Sequence, residues 1–207
     1  MSRSVRAIEF ENGLRVVERA APQPGLGEAL VRLRLAGICN TDLELMRGYM
    51  DFSGTLGHEF VGEVVDGPDE WLGQRVAGEI NISCGECDLC RRGMRTHCRN
   101  RATLGLMNYD GAFADVFRLP VENLWAVPDE VSDEQAVFTE PLAAACEVLE
   151  AGVIAPETRV IVVGAGKLGL LVAQVVRLTG ADLTVIARRE RPRALLAEWG
   201  IPAAQVA

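Results

Sequence analysis

The chain has 207 residues, a hydrophobic content of 49% and a formal net charge of −8 at pH 7. That length accommodates one or two domains. The negative charge argues against general nucleic-acid binding, which needs a cationic surface to displace counterions. No apolar run approaches the roughly 18 residues of a membrane span, and the start MSRSVRAIEF lacks the apolar core of a signal peptide. We therefore expect a cytoplasmic protein with no membrane partner.

The first half of the sequence has the character of β structure punctuated by glycine and proline. In RAIEFENGLRVVE, apolar residues flank Asn12-Gly13, a dipeptide suited to the positive φ angles of a tight hairpin. ALVRLRLAG alternates Val31 and Leu33 with arginines, which predicts a half-buried strand. FVGEVVD, GQRVAGEI and GAFADVFRLP continue this pattern. Several short strands at such spacing predict a barrel or a sandwich.

A short helix is predicted after Cys39, with Asn40 or Thr41 as its N-cap and Gly48 as its stop. Beyond it, His58 and Glu59 stand side by side in SGTLGHEF, in a chain that has two histidines. A lone histidine of this kind is either a core residue satisfied by a backbone carbonyl or a metal ligand. The stretch by itself leaves both interpretations open.

Four cysteines, Cys84, Cys87, Cys90 and Cys98, fall within CGECDLCRRGMRTHC. Short C-x-x-C steps let two thiolates meet one ion, and four thiolates complete a closed tetrahedron around zinc. An iron–sulfur cluster or free thiols are the alternatives, but the proline that follows bacterial-type cluster cysteines is absent. We expect a structural zinc here, with His97 as a bystander because four sulfurs already fill the coordination sphere.

Near residue 139 the sequence changes to an α/β pattern. TEPLAAACEVLEAG predicts a helix with Pro141 in its first turn and Gly152 after its end. TRVIVVGAGKLGLLVAQVVRLTGADLTVIARRE predicts a strand, a glycine turn, a helix and a second strand, a βαβ unit that requires a parallel sheet. A helix over 191–199 and the start of another element at Val206 follow. The predicted elements after residue 150 include two or three strands, whereas a doubly wound nucleotide domain has about six.

The glycine turn has the spacing of a dinucleotide-binding fingerprint. The strand VIVV is followed by Gly164, Gly166 and Gly169. Lys167 and Leu168 lie between the last two glycines, where the helix opens. The glycines allow a tight turn, close approach of a pyrophosphate and close packing of helix on strand. The anion then lies on free N–H groups at the start of the helix.

The residues after the second strand bear on the choice of cofactor. An NAD-specific protein usually offers Asp or Glu to the ribose hydroxyls about 20 residues after the glycines. This chain offers Ala187, Arg188 and Arg189 instead. Arginine suits a 2′-phosphate, so the sequence favours NADP over NAD, the alternative being a solvated basic start of a helix.

These motifs stand in a familiar order. Cys39 lies in GICNTDLE, His58 and Glu59 in GHEFVGEV, and Glu140 in TEPLA, together with the four-cysteine loop and the glycine fingerprint. The combination resembles the zinc-dependent medium-chain alcohol and polyol dehydrogenases, in particular the sorbitol-, threonine- and glucose-type enzymes. The resemblance implies an α/β protein, with a GroES-like β-barrel catalytic domain over residues 1–150 and the incomplete Rossmann NAD(P)-binding domain over 151–207.

The resemblance also implies a ligand set for the catalytic zinc. Cys39 and His58 are ligands in that family, and Glu59 can swing onto the metal. Glu140 matches a glutamate that binds zinc directly or through water in the sorbitol-type subgroup. A catalytic zinc keeps few protein ligands and leaves one position for water or substrate.

Two neighbouring positions receive roles from the same resemblance. Thr41 matches a Ser/Thr that hydrogen-bonds the substrate hydroxyl and starts a proton relay. Asp42 matches an aspartate beside the zinc-bound histidine, where it would fix the orientation of the ring. Asn40 replaces a common glycine and leaves the substrate preference open, and Cys146 is expected to be a small core residue.

The resemblance therefore implies an enzyme that transfers a hydride between an alcohol or polyol, or the matching carbonyl, and NAD(P), with two zinc ions per chain. The family's chains run well past residue 207, so we expect a fragment or a degraded relative. The resemblance also implies a homo-oligomer for the full-length protein. Two other functions stay open. One is a non-catalytic zinc- or nucleotide-binding remnant. The other is a zinc-independent quinone or enoyl reductase, which would leave Cys39, His58, Glu59 and Glu140 unexplained.

Overall fold

A computed structural model describes residues 4–205 of the chain, so the element expected at Val206 lies outside the described residues. The chain forms two compact units, Met1–Glu140 and Pro141–Ala207. The predicted boundary between functional domains near residue 150 stays a prediction. None of the helices between residues 4 and 205 is long and apolar enough to cross a membrane.

The first unit is built mainly from short strands. They are β1 Ser4–Phe10, β2 Leu14–Ala20, β3 Glu28–Gly37, β4 Gly54–Thr55, β5 Glu59–Asp66, β6 Arg75–Gly78, β7 Asn81–Ile82, β8 Ala102–Thr103, β9 Val116–Pro120 and β10 Leu124–Ala126. The α-helices are α1 Asn40–Leu45, α2 Asp88–Arg91, α3 Asp133–Ala136 and α4 Thr139–Glu150, the last of which runs on into the second unit. The 3₁₀ turns are Tyr49–Asp51, Asp69–Trp71, Arg95–His97 and Val121–Asn123.

Antiparallel sheets surround the core of the first unit. The largest has the order β10-β6-β5-β3-β9, and smaller sheets have the orders β2-β1-β4 and β7-β8. On β3, Val31 is fully buried while Arg32 and Arg34 are exposed, which confirms the predicted alternation. Phe60 of β5 and Phe117 of β9 meet edge to face at the centre, with ring centroids 4.8 Å apart. The predicted β-barrel is confirmed.

Local turn chemistry explains how these strands are joined. Asn12 and Gly13 have φ angles of 54° and 154°, and they close the predicted hairpin between β1 and β2. The predicted N-cap of α1 is wrong by one position, because Cys39 and not Asn40 or Thr41 is the cap. The reason is that the Asp42 carboxylate reaches back and accepts a hydrogen bond from the Cys39 N–H at 2.8 Å.

The second unit contains the predicted βαβ arrangement. Its elements are β11 Arg159–Val163, α5 Lys167–Leu178, β12 Asp182–Ile186, α6 Glu190–Glu198 and β13 Ala203–Ala204, and the strands form a parallel sheet in the order β11-β12-β13. Ala173, Val185 and Leu196 are fully buried between helices and sheet. Cys146, which the sequence placed in a core, is exposed on α4. The apolar run around it does not reveal which face of the helix is covered.

Candidate metal and cofactor sites

Two paired strands bring Cys39, His58 and Glu59 together. β3 ends at Gly37, just before Cys39, and Gly37 pairs with Glu59, the first residue of β5. A Cβ on Gly37 would overlap the Glu59 carboxylate, so this glycine makes room for that side chain. One Cys39 sulfur, one His58 ring nitrogen and one Glu59 oxygen all lie within 4.8 Å of one another. His58 is buried, and the other two are half-buried.

Asp42 of α1 supports both Cys39 and His58. Its Oδ2 accepts the Cys39 backbone N–H, while its Oδ1 lies 3.4 Å from Nδ1 of His58. Within residues 4–205, neither Oδ1 nor that Nδ1 has any other partner in hydrogen-bonding geometry. Asp42 therefore faces one nitrogen of the ring and leaves the opposite nitrogen, Nε2, available for a ligand role. The Cys39 thiol also contacts the Thr41 hydroxyl, with Sγ and Oγ1 3.6 Å apart.

The negative charges around His58 favour a positive charge at this group, either a proton on the ring or a metal cation in its place. Burial lowers the pKa of His58, but hydrogen bonds and charges from Asp42 and Cys39 outweigh it and raise the pKa to about 10. The hydrogen bond with His58 lowers the pKa of Cys39 against the opposing effect of burial. The surroundings of Cys39 thus favour a thiolate, the form that binds metals. Thiolate, imidazole and carboxylate are the ligand types of zinc, so the donor set fits zinc.

Glu140 lies in the first turn of α4, outside that three-residue group. Burial raises the pKa of its carboxyl, whereas the charge of His58 acts in the opposite direction. The charges of Glu59 and Asp42 also act on Glu140 and raise its pKa further. The structure thus brings Glu140 within electrostatic reach of the group but does not bring its oxygen as close as the other donors.

The four loop cysteines form a second cluster. Sγ–Sγ distances are 3.4 Å for Cys84–Cys98, 3.5 Å for Cys87–Cys90, and 4.0 Å for both Cys84–Cys90 and Cys87–Cys98. Tetrahedral Zn–S bonds of about 2.3 Å would separate the sulfurs by about 3.8 Å, so the arrangement fits zinc. Backbone N–H groups of Arg99 and Cys90 lower the pKa of Cys87, which favours a thiolate. His97 is exposed and does not belong to the cluster.

The glycine turn has the shape that a pyrophosphate requires. Gly164 has a φ of 107° directly after β11, and Gly166 is the N-cap of α5. Atoms added at the Cβ positions of Gly164 and Gly166 would meet open space, which leaves room for a ligand. At Gly169 a Cβ would overlap the Gly164 carbonyl oxygen, because α5 packs closely on the turn. This geometry fits a dinucleotide at the start of α5.

The basic residues expected at the ribose follow β12. Arg188 and Arg189 are both exposed, and Arg189 is the N-cap of α6. The carbonyl groups of Ala187 and Arg188 accept hydrogen bonds from Nη1 of Arg193, at 3.4 Å and 3.3 Å. These bonds fix the backbone that carries the two arginines while their guanidinium groups face solvent.

A supporting segment was missed by the sequence reasoning. Gly111, Ala112 and Phe113 donate backbone hydrogen bonds of 2.8–2.9 Å to the carbonyls of Thr55, Gly57 and Leu56, which lead directly into His58. A Cβ on Gly111 would overlap the Leu56 and Gly57 carbonyl oxygens. The only available signal was a glycine after Tyr109-Asp110, which does not reveal a partner so distant in the sequence.

A comparison with known families decides the affiliation of the chain. The profile of the alcohol dehydrogenase GroES-like domain matches residues 25–129, more than half of the sequence. The chain belongs to this family. The match covers Cys39, His58 and Glu59 and also the four-cysteine cluster.

Individual members of this alcohol dehydrogenase family are similar over nearly the whole chain. An L-threonine 3-dehydrogenase from Legionella pneumophila (strain Corby) is 36% identical over 89% of this chain and 56% of its own length. The structure of an alcohol dehydrogenase (RspB) from Escherichia coli CFT073, complexed with NADH, has a TM-score of 0.92 and 32% identity, covering 99% of this chain and 63% of that one. The chain thus spans less than two thirds of the length of these relatives.

A third relative carries the other nicotinamide cofactor. A protein from Sinorhizobium meliloti 1021, described as a zinc-binding dehydrogenase and bound to NADP, has a TM-score of 0.89 and 32% identity over 99% of this chain and 62% of its own. Similar structures therefore hold NADH in one case and NADP in another.

Proposed function

We propose that this chain is the metal-binding and cofactor-binding part of a zinc-dependent, NAD(P)-linked dehydrogenase. Its substrate would be a secondary alcohol, a polyol or an amino alcohol, or the matching carbonyl compound. The observation that carries the proposal is the convergence of Cys39, His58 and Glu59, whose ligand atoms lie within 4.8 Å of one another. A thiolate, an imidazole and a carboxylate at such distances match a catalytic zinc site that keeps an open position.

Each residue of the group has a distinct task in this proposal. Cys39 and His58 hold the metal, and Asp42 orients the His58 ring through the approach to Nδ1 at 3.4 Å. Glu59 would be the carboxylate that can swing onto the metal, and Glu140 would bind it directly or through water. Bound zinc supplies Lewis acidity to the substrate oxygen. Thr41, whose hydroxyl lies beside the Cys39 sulfur, accepts the hydroxyl proton of the alcohol and passes it toward solvent.

The cofactor-binding residues complete the proposal. The pyrophosphate would lie on the glycine turn at the start of α5. This turn is formed by Gly164, Gly166, Lys167, Leu168 and Gly169. Bound NAD(P) supplies the hydride acceptor. Arg188 and Arg189 are exposed where the ribose would lie and would bind a 2′-phosphate, so NADP is the proposed cofactor over NAD.

The four-cysteine cluster would hold a second, structural zinc. Its four sulfurs leave no open coordination position, so this metal would stabilise the loop without taking part in the reaction. A cytoplasmic location and assembly into a homo-oligomer of the whole protein also belong to the proposal.

A second candidate function is a zinc- and nucleotide-binding protein that does not turn over alcohols. The observation that favours it is that Glu140 lies outside the three-residue donor group, although the glycine turn and the other donors are in place.

Cofactor titration combined with an alcohol panel tests the proposal. Zinc-loaded protein is titrated with NADPH and NADH by fluorescence, and then assayed for alcohol-dependent reduction of the nicotinamide. The proposal predicts saturable binding and turnover that is lost in Cys39→Ser but retained in the matched control Cys146→Ser. Binding without turnover of any alcohol would favour the second candidate, and absence of both would contradict the proposal for this chain.

A further inference from the structure

An ionic cluster ties the segment between β10 and α4 to the barrel. Asp133, the first residue of α3, accepts a hydrogen bond from Nε of Arg34 at 2.8 Å and from Nη1 of Arg75 at 2.9 Å. The Asp133 and Arg75 side chains are 21% and 20% exposed, so water screens this pair less than a typical surface ion pair. The two oxygens of one carboxylate thus join β3 and β6 to the start of α3.

Arg75 also holds the backbone that precedes Asp133. Its Nη2 donates to the carbonyls of Pro128 and Val131 at 2.7 Å and 2.6 Å. Its own carbonyl accepts the Val127 N–H at 2.8 Å. The segment from Val127 to Asp133 therefore wraps around a single arginine side chain, and Asp133 supplies the charge that balances it.

The cluster lies on the strands that lead to the candidate zinc ligands. Arg34 belongs to β3, which runs into Cys39, and α3 packs against both β3 and β5. The same segment continues from α3 through Phe138 into Glu140 of α4. Ala136 of α3 is buried, which leaves little freedom for this segment to shift.

We propose that Asp133 is a positioning residue: by joining Arg34 to Arg75, it holds the segment that carries Glu140 at a fixed place relative to Cys39 and His58. We call the contacts of Asp133 with Arg34 and Arg75 the clamp. The inference rests on the proposed function, because the clamp would act on the same zinc site. A ligand must be held within about 0.5 Å of its working position. Among residues 4–205, the salt bridges made by the segment from 127 to 140 both involve Asp133. Charge-assisted bonds to two guanidinium groups supply that restraint.

Cobalt substitution separates this role from general stabilisation. The four-cysteine cluster is first filled with zinc, and Co²⁺ is then titrated into the second site while its visible absorption is recorded. Asp133→Asn removes the charge of the clamp and should shift the cobalt spectrum and weaken Co²⁺ binding by about tenfold, the effect expected for a residue that supports a ligand. Wild-type protein provides the reference spectrum.

Glu63→Gln is the matched control. Glu63 accepts a hydrogen bond from Arg32 at 2.9 Å and lies 3.8 Å from Arg34, so it belongs to the same charged surface. In the described structure its ion pairs involve β3 and not the segment from 127 to 140. This variant should keep the wild-type cobalt spectrum and affinity.

The outcomes distinguish the inference from the proposed function. An Asp133→Asn protein with the wild-type spectrum and affinity would overturn the inference alone, as would an equal change in Glu63→Gln. A wild-type protein that binds no cobalt beyond its zinc-filled cysteine cluster would overturn the proposed function as well. If Asp133→Asn does not fold, Arg34→Met serves instead, because it removes the guanidinium that donates to Asp133 and keeps an unbranched side chain. An unchanged cobalt spectrum there overturns the inference.

Discussion

Asp42 and His58 face each other in the interior of the first unit, with Oδ1 and Nδ1 3.4 Å apart and side chains that are 2% and 3% exposed. The second oxygen of the same carboxylate caps α1 at Cys39. One buried side chain therefore orients a sulfur and an imidazole that come from different parts of the chain. The proposed metal site would therefore depend on Asp42, although Asp42 is not one of the three grouped donors.

Replacing Asp42 by Asn should separate these two tasks. An amide oxygen can still accept the Cys39 N–H, so α1 should keep its cap, but the charge that faces His58 is lost. We expect zinc affinity at this site to fall by about 10–100-fold, as for other residues that hold a histidine ligand. Competition with a chromophoric chelator measures it. Equal affinities for wild type and Asp42→Asn would contradict the role of Asp42.

The four-cysteine loop should depend on its metal for its structure. Between residues 84 and 101 only Cys98 is buried, and the helices are single short turns. The loop thus has almost no core of its own, so the proposed zinc would supply its folding free energy. Cys98→Ala should lose one zinc and the hydrogen-exchange protection of residues 84–101, while β3 and β5 stay protected. Retained protection in the loop would argue against a structural zinc.

Gly111 should be intolerant of a side chain. A Cβ there would overlap the Leu56 and Gly57 carbonyl oxygens, so Gly111→Ala must push apart the segments that support His58. Overpacking of this kind lowers the free energy of unfolding by about 1–3 kcal/mol, which urea denaturation measures. Gly152→Ala is the control, since a Cβ there meets nothing within 4 Å. The explanation fails if the two variants are equally stable.

Arg188→Asp tests the choice of cofactor. If the exposed Arg188 binds a 2′-phosphate, its replacement removes a charged hydrogen bond that contributes about 1.5–3 kcal/mol. NADPH affinity should then fall by about tenfold or more, with a much smaller change for NADH, in fluorescence titrations. Arg92→Asp makes the same charge change on the cysteine loop and should affect neither. Equal losses for both cofactors would refute the preference for NADP.

Local signals explain which parts of the fold were predictable. Asn12-Gly13 specifies a hairpin because both residues adopt positive φ, and GAGKLG between two apolar runs specifies a βαβ turn. The N-cap of α1 was misplaced because the deciding contact, from Asp42 back to Cys39, competes with the intrinsic preferences of Asn40 and Thr41. The exposure of Cys146 depends on which face of α4 is covered, which the composition of the helix does not specify.

The candidate site was predictable for a different reason. Cys39, His58 and Glu59 were identified through resemblance to a family, and the structure then brought their ligand atoms together. Their role as zinc ligands, and that of Glu140, stays a prediction. The clamp of Asp133 on Arg34 and Arg75 left no pattern in the sequence, because ion pairs between distant segments have no fixed spacing.

Zinc content per chain tests the central claim most directly. Mass spectrometry of metal in dialysed, zinc-reconstituted protein should give two zinc ions for wild type and for the control Cys146→Ala, whose sulfur is exposed and belongs to neither group of donors. Cys39→Ala should give one, because the four-cysteine site remains filled. A wild-type protein with a single zinc, or a Cys39→Ala protein that still holds two, would contradict the account.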